Sequence, residues 1–286
     1  MTDPNLVAET LNQALPYIQA FRGQTFVVKY GGAAMRDPSL LDGVLRNVLL
    51  LRLVGIDVVP VHGGVPVIDG LLARLGIEKK TVGGLRVTDD ATMEAVEMAL
   101  ARANARLVAK LNAMGGRAMG ASGRDGDLMR AAPLADALGR VGDVTSVDPA
   151  PLRAFTDAGF LPVVSCVASG PDHGPMNVNG DTAAAAIAVA LGASKLVLLT
   201  DTDGVRADKD DPASRIAQLD EAEARAMLAD GRADRGMIPK LSAALSALAG
   251  GVARVHMIDG GRPNAVLLEV FTDAGIGTMM TRKNHP

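Results

Sequence analysis

Two stretches of this chain follow the same grammar, and together they constrain what it can fold into. In TFVVKYGGAAM, residues 25–35, the apolar run Phe26-Val27-Val28 leads to Lys29 and then to Gly31-Gly32. In IDVVPVHGG, residues 56–64, a second apolar run leads to His62 and then to Gly63-Gly64. Short runs of this kind suit parallel strands buried on both faces. Adjacent glycines let the backbone turn sharply and approach a ligand closely, because no Cβ stands in the way. A helical pattern follows each pair, so the free N–H groups of a helix start point back at the turn and form an anion site. Two such turns on neighbouring parallel strands share the carboxyl edge of the sheet, where open α/β sheets bind ligands. Lys29 adds a positive charge there.

The 286 residues suffice for one large α/β domain or two lobes, and a hydrophobic content of 48% supplies a sizeable core. Aromatic residues make up 2%, so stacking of bases on aromatic rings is not the expected binding mode. A net charge of −3 without a long basic run argues against nucleic acid as the main partner. Asp3 and Glu9 occupy the region where a signal peptide is basic. The most apolar later stretch, Ala183 to Leu199, is broken by Gly192, Ser194 and Lys195, which excludes a membrane span of about 20 residues. The single Cys166 excludes an internal disulfide and fits a reducing cytoplasm, as a small buried apolar residue after Val163-Val164-Ser165. A cytoplasmic location is the expectation.

Residues 5–21 have apolar positions at helical spacing, with Pro16 expected to bend or break the helix. This element either caps the domain or packs on another subunit. Helices are expected over Pro38 to Val54 and Val67 to Leu75. His62, with no second ligand at metal spacing, reads as a turn residue that holds its loop. TVGGLRVT, residues 81–88, reads as an extended hairpin. Its Arg86 is either solvated or paired with a carboxylate in forked geometry. Thr88 is the expected cap of a long helix reaching Met114. Strands and hairpins are expected from Arg117 to Val147, a helix from Pro149 to Ala158 and a core strand from Phe160 to Ser165.

In NVNGD, alternation puts Asn177, Asn179 and Asp181 on one side of an extended segment, with Asp181 opening a helix to Leu191. The strand Lys195 to Thr200 ends in Asp201-Thr202-Asp203-Gly204-Val205, turn residues suited to a ribose and phosphates. An exposed hairpin is expected from Arg206 to Asp220 and a helix from Glu221 to Ala229. Lys240 stands at the start of a helix, where a cation is electrostatically misplaced unless it shares an anionic ligand with the helix N-terminus. The tail offers two strand-like runs, RVHMI and AVLLEVF. The strand–turn–helix grammar recurs on both sides of Gly192-Ala193, which marks an expected lobe boundary.

KYGG, HGG, GLRVT, NVNGD, LLTDTDGV and GMIPK, in this order, resemble the motifs of the amino acid kinase superfamily. The likeness runs from about residue 5 to 278, and within the family it points to the branch that phosphorylates N-acetyl-L-glutamate in arginine biosynthesis. It implies an open, mostly parallel sheet sandwiched between helices. Residues 23–193 would be an N-terminal lobe that binds the acyl amino acid and dimerises, and residues 194–286 a lobe for ATP. Magnesium would accompany the nucleotide. Mapped by motif, Lys29 and Lys240 would neutralise the transferring phosphoryl group, Gly32 and Gly63 would donate N–H groups to it, and Asp181 would hold both lysines. Gly64, Val65, Arg86 and Asn177 would bind the substrate, with Arg86 on its α-carboxylate and Asn179 supporting the shelf. Asp201, Thr202, Asp203, Gly204, Val205, Arg206, Gly236, Met237 and Ile238 would line the nucleotide site.

Val65 departs from the family pattern, which has a third glycine there, and its branched side chain crowds the substrate side. The helix in residues 1–22 and the tail HMIDG…LLEVFTDAGIGT resemble the arginine-inhibited branch, in which such a helix interlaces dimers into a hexameric trimer of dimers. Tyr17, His256, Glu269 and Gly275 would form the arginine site. Rival readings are a related kinase acting on aminoadipate, glutamate or carbamate, and a non-catalytic amino-acid sensor on the same fold. A dinucleotide-binding oxidoreductase lacks GxGxxG after its first strand.

Overall fold

The computed structural model describes residues 3–234 and 236–282, without the side chains of Ala33 and Ala34. Residue 235, which opens the expected GMIPK approach, and the two chain ends lie outside the described residues. Helix α1 (Pro4–Phe21) comes first. The first repeat of the strand–turn grammar becomes β1 (Thr25–Tyr30), a single turn α2 (Ala33–Arg36) and α3 (Pro38–Leu53). The second becomes β2 (Asp57–His62) and α4 (Val65–Leu75). A hairpin of β3 (Thr81–Val82) and β4 (Leu85–Arg86) leads to the long α5 (Asp90–Ala113) and to β5 (Ala118–Ser122). Next come β6 (Met129–Pro133), β7 (Val141–Val147), α6 (Ala150–Asp157) and β8 (Leu161–Ser165). They are followed by β9 (Val167–Ser169), β10 (Pro175–Val178) and α7 (Gly180–Leu191). The last third holds β11 (Lys195–Thr200), β12 (Gln218–Asp220), α8 (Glu221–Ala229) and α9 (Ile238–Ala249). It ends in β13 (Arg254–Asp259), α10 (Ala265–Val270) and β14 (Thr278–Thr281).

Eight strands form one sheet in the order β12-β14-β13-β11-β1-β2-β8-β5. All pairings are parallel except β13 with β14. The strand period of two divides the core. Val27 on β1 and Val59 on β2 pack with α7 and α9, whereas Phe26, Val28 and Tyr30 pack with α3, α5 and α10. Helices on both faces explain why these strands carry wholly apolar runs. Lys29 shares the face of Val27, so its side chain is delivered toward α7 and α9. β6, β7, β9 and β10 close into a small four-stranded unit beside the main sheet.

Several expectations need correction. Pro16 does not end α1, which is assigned as one helix across it. The cap of α5 is Asp89, whose carboxylate accepts from Thr92 N at 2.8 Å. Thr88 is displaced from that role because its backbone bridges Gly139 and its carbonyl accepts from Arg140 N. AVLLEVF is a helix and not a strand. Its buried residues Ala265, Val266, Glu269 and Val270 follow helical spacing, and only that spacing brings Glu269 inward with the two valines. The segment 206–220 pairs at its base through Arg206 and Arg215, but Gln218–Asp220 leaves it to join the main sheet beside β14. The strand β14 was not anticipated.

Candidate active site

The register of the sheet assembles the site. Tyr30 pairs with His62 and Thr200 with Asp259, so the turns after β1, β2 and β11 emerge side by side at one sheet edge. Gly63 N donates to Tyr30 O at 3.2 Å and ties the first two turns together. Gly32 adopts φ +53°, and a Cβ there would lie 2.6 Å from Asp201 Oδ1, so this corner accepts glycine on two counts. Gly180, at the start of α7, packs where a Cβ would meet Lys29 Cε at 3.1 Å. The helix start therefore sits directly against the lysine.

Lys29 and Lys240 meet on one carboxylate. Lys29 Nζ lies 2.7 Å from Asp181 Oδ1, and Lys240 Nζ lies 3.1 Å from Asp181 Oδ2. The Asp181 side chain is 4% exposed. Burial pushes this carboxyl up, but the two ammonium groups, Lys29 first, outweigh it and hold it below its ordinary value. Asp181 is not in line with Asn177 on an extended strand as expected. Helix α7 starts at Gly180, and Asn179 is its cap, its Oδ1 accepting from Asp181 N at 2.8 Å and Thr182 N at 3.2 Å. The helical turn swings Asp181 off the strand's alternation and toward β1 and α9. Neither α4 nor α9 has a side-chain cap at its N-cap residue, and the first N–H of α9, that of Ile238, donates to Asp234 O at 3.0 Å.

Beside the lysines lies a cavity of about 590 Å³. Gly63, Gly64, Val65, Arg86, Asn177 and Asn179 all line it, so the structure brings the expected substrate residues together. Val65 is the first residue of α4 and is 57% exposed. Arg86 is not solvated: it pairs with Asp69, and its Nη1 is buried with no hydrogen-bond partner among the described residues. Asn177 Nδ2 donates to Thr88 Oγ1 at 3.2 Å. His62 is fully buried, and burial lowers its pKa to about 4, so it is neutral. Asn104 Nδ2 donates to its Nε2 at 3.1 Å, which leaves the Nδ1 proton to donate to Gly63 O at 3.0 Å. Cys166 donates to His62 O at 3.2 Å, and burial pushes its thiol up to about 12.

A second, narrow cleft of about 30 Å³ is lined by Thr202, Gly204, Val205, Arg206 and Met237. Arg206 is held by Asp203 at 3.1 Å, and Val205 N donates to Thr278 Oγ1 at 2.8 Å. Asp201 stands at the other end of this loop, 3.7 Å from Arg36. Gly236 N and Met237 N donate to Asp234 Oδ1, which shapes the entry to α9, and Ile238 is largely exposed there. Lys209 and Arg232 also line the cleft and were not anticipated, since each lies in a charged surface segment with no motif of its own.

Away from this edge, the four residues expected at a regulatory site also gather. Glu269 Oε1 lies 2.6 Å from His256 Nδ1, and its Oε2 accepts from Ile276 N at 2.7 Å. Gly275 has φ +56°, and a Cβ there would approach Glu269 Oε2 at 3.1 Å. Tyr17 donates to Asp273 at 2.5 Å and packs edge-on against Phe271. Lys195 joins the cluster unforeseen, 3.4 Å from His256 Nε2 and 4.8 Å from the Phe21 ring centre, its pKa lowered by burial to about 8.

The model of the amino acid kinase family matches residues 24–259. An acetylglutamate kinase of Thermosynechococcus vestitus is 50% identical over 276 residues, covering 96% of this chain and 94% of the relative. One from Symbiobacterium thermophilum is 48% identical over 286 residues, covering 96% and 97%. Among solved structures, N-acetylglutamate synthase of Neisseria gonorrhoeae, complexed with coenzyme A and N-acetyl-glutamate, superposes with a TM-score of 0.85 at 28% identity. That match covers 97% of this chain, which spans 64% of the synthase. The matched range takes in Lys29, Asp181 and Lys240, and the chain belongs to the amino acid kinase family, among the acetylglutamate kinases.

Proposed function

We propose that this chain transfers the γ-phosphoryl group of ATP to the side-chain carboxylate of N-acetyl-L-glutamate, a step of arginine biosynthesis. The observation that carries this reading is the convergence of Lys29 and Lys240 on Asp181, next to Gly180 and Pro239, which line a cavity sized for a small acyl amino acid. A substrate carboxylate oxygen attacks the γ-phosphorus, the bond to the β–γ bridging oxygen breaks, and ADP leaves with N-acetyl-L-glutamyl 5-phosphate. The nucleophile is already ionised at neutral pH, so no general base is required. What the reaction does require is stabilisation of negative charge on the phosphoryl oxygens. Lys29 and Lys240 supply it, with the N–H group of Gly32; the N–H of Gly63, expected beside it, is taken by Tyr30 O at 3.2 Å. Asp181 acts as the organiser that keeps two like charges side by side.

Arg86 binds the substrate's α-carboxylate through its unpaired Nη1, and Asn177, Gly64 and Val65 complete that pocket. The exposed Val65 narrows its mouth. ATP occupies the cleft between residues 201–206 and 236–238, which assigns residues 194–286 to the nucleotide lobe and 23–193 to the acyl amino acid. Among the described residues no cluster of three or more acidic, His or Cys side chains is built to hold an ion. Magnesium therefore fits as a companion of the nucleotide, where it neutralises phosphate charge, coordinated by phosphates and water. ADP release measured with N-acetyl-L-glutamate, L-glutamate, aminoadipate and carbamate tests the assignment. The acetylated substrate should lead by at least about a hundredfold in kcat/KM, because polar groups that line the cavity, such as Asn177, are left unpaired by an acid lacking the acetyl group. Equal or higher turnover of another acid assigns a sibling activity, and none with any acid leaves the sensor.

Helix α1 supports a regulatory role. Leu6 and Leu11 are 55% and 65% exposed, and no residue of α1 is buried. An apolar helical stripe in water favours a covering partner. The partner in this reading is α1 of a second dimer, giving a trimer of dimers, with arginine bound at Tyr17, His256, Glu269 and Gly275. Deleting residues 1–20 should leave an active dimer with weakened arginine inhibition, read by light scattering and by inhibition curves. A truncated enzyme that stays hexameric and fully inhibited removes this role.

A further inference from the structure

The substrate pocket has a wall that cannot hold itself in place. β3 and β4 are two residues each and, among the described residues, pair as strands only with each other. Gly83 and Gly84 close them at φ +59° and +83°, the left-handed pair of a type I′ turn. A two-stranded hairpin this short is marginal in water and needs outside anchors. Yet Thr81, Gly84 and Leu85 line the cavity, together with Arg86.

One side chain outside the hairpin holds its base. Asp69, on α4, pairs through Oδ1 with Arg86 Nη2 and through Oδ2 with Lys79 Nζ at 2.8 Å. Lys79 and Arg86 flank the hairpin's two ends, so a single carboxylate clamps both strands. It also belongs to α4, which follows Gly64 directly and ties the hairpin to the second glycine turn. The clamp uses one edge of the guanidinium and leaves Nη1 buried and without a partner among the described residues. The fork is thus held at one nitrogen and open at the other.

We infer that Asp69 is a positioning residue for the acyl amino acid: through Arg86 and Lys79 it fixes the hairpin wall and presents Arg86 Nη1 to the substrate's α-carboxylate. This deepens the proposed function and rests on Arg86 as the carboxylate contact. Asp69 itself touches no reacting atom, so its loss acts on substrate affinity and selectivity, with phosphoryl transfer left in place.

The test uses full-length enzyme and two acceptors, N-acetyl-L-glutamate and its α-carboxamide, in steady-state kinetics. Wild type should favour the acid, and R86Q should erase that preference. D69N should raise KM for the acid about tenfold while kcat and the KM for ATP stay within about threefold, and should shrink the preference for the acid over the amide. D69E, which keeps the charge, should recover most of the loss. If R86Q loses the preference while D69N keeps wild-type KM and selectivity, the role of Asp69 is refuted and Arg86 stands. If wild type and R86Q treat the two acceptors alike, the reading of Arg86 fails and takes the inference with it. Lys79→Met loosens the same clamp from the hairpin side and should raise KM by a smaller factor. An unchanged KM there, beside a D69N that does not fold, also overturns the inference.

Discussion

Replacing Lys240 by Ala lowers kcat by about 10²–10³-fold while the protein stays folded. The size follows from what the side chain does. Phosphoryl transfer leaves the protein little covalent work, so a cation placed on the equatorial oxygens carries a large share of the acceleration. The fold survives because Asp181 keeps Lys29 as a partner at 2.7 Å, so no buried carboxylate is left unpaired. Lys240 is also 20% exposed, and its neighbours in α9 hold the helix through Leu241, Leu245 and Leu248, which are buried. Arginine is a poor substitute, since its planar fork does not fit the space of an ammonium directed at a single phosphoryl group. Single-turnover kinetics with unchanged thermal melting would establish the effect. A Lys240→Ala enzyme with half of wild-type turnover would show that the phosphoryl group travels elsewhere.

Replacing Asp181 by Asn damages both stability and activity. The variant faces two lysines with a neutral amide, in a place where the carboxylate is 4% exposed. Removing one partner of a buried ionic group costs roughly 3 kcal/mol, and here both ammonium groups lose it. Turnover falls as well, because Lys29 and Lys240 repel each other and leave the positions from which they bracket the phosphoryl group. The pH dependence identifies the cause. The Asp181 carboxyl sits below its ordinary value of 3.8 in the folded chain, so over that range the unfolded chain binds more protons. Stability from this group is complete above about pH 4 and is lost as pH falls through the folded value. Urea unfolding from pH 6 down to 3 should show a steeper loss in wild type than in Asp181→Asn. Parallel slopes would mean that the carboxylate is not held by the lysines.

The two glycine turns, the chain order of strands and helices and the family were legible in the sequence. Their signals are local: an apolar run long enough for a buried strand, a glycine pair that frees the backbone, and a helical period after each. Lys29 was legible as the charge at the end of its strand, and the packing of α7 and α9 on the face of Val27 decided where its side chain goes. AVLLEVF shows where local reading ends. Its valines and leucines fit a strand as well as a helix, and the structure buries Ala265, Val266, Glu269 and Val270 at helical spacing, with Glu269 against His256. Asp181 shows the same limit from another side: its place at a helix start was legible, but the cap at Asn179 turns it off the side of the strand that carries Asn177.

Partners far apart along the chain were decided by tertiary structure, and only the grouping of Lys29, Asp181 and Lys240 was implied beforehand, by the family resemblance. Asp69 meets Lys79 and Arg86, Lys195 enters the cluster around Glu269, and Lys29 and Lys240 share Asp181, because helices packed on one sheet bring those positions together. Backbone hydrogen bonds and apolar periodicity act between near neighbours and are written in consecutive residues. Charge pairing acts through space, and the distance between two side chains exists only once the sheet order and the helix packing have been set.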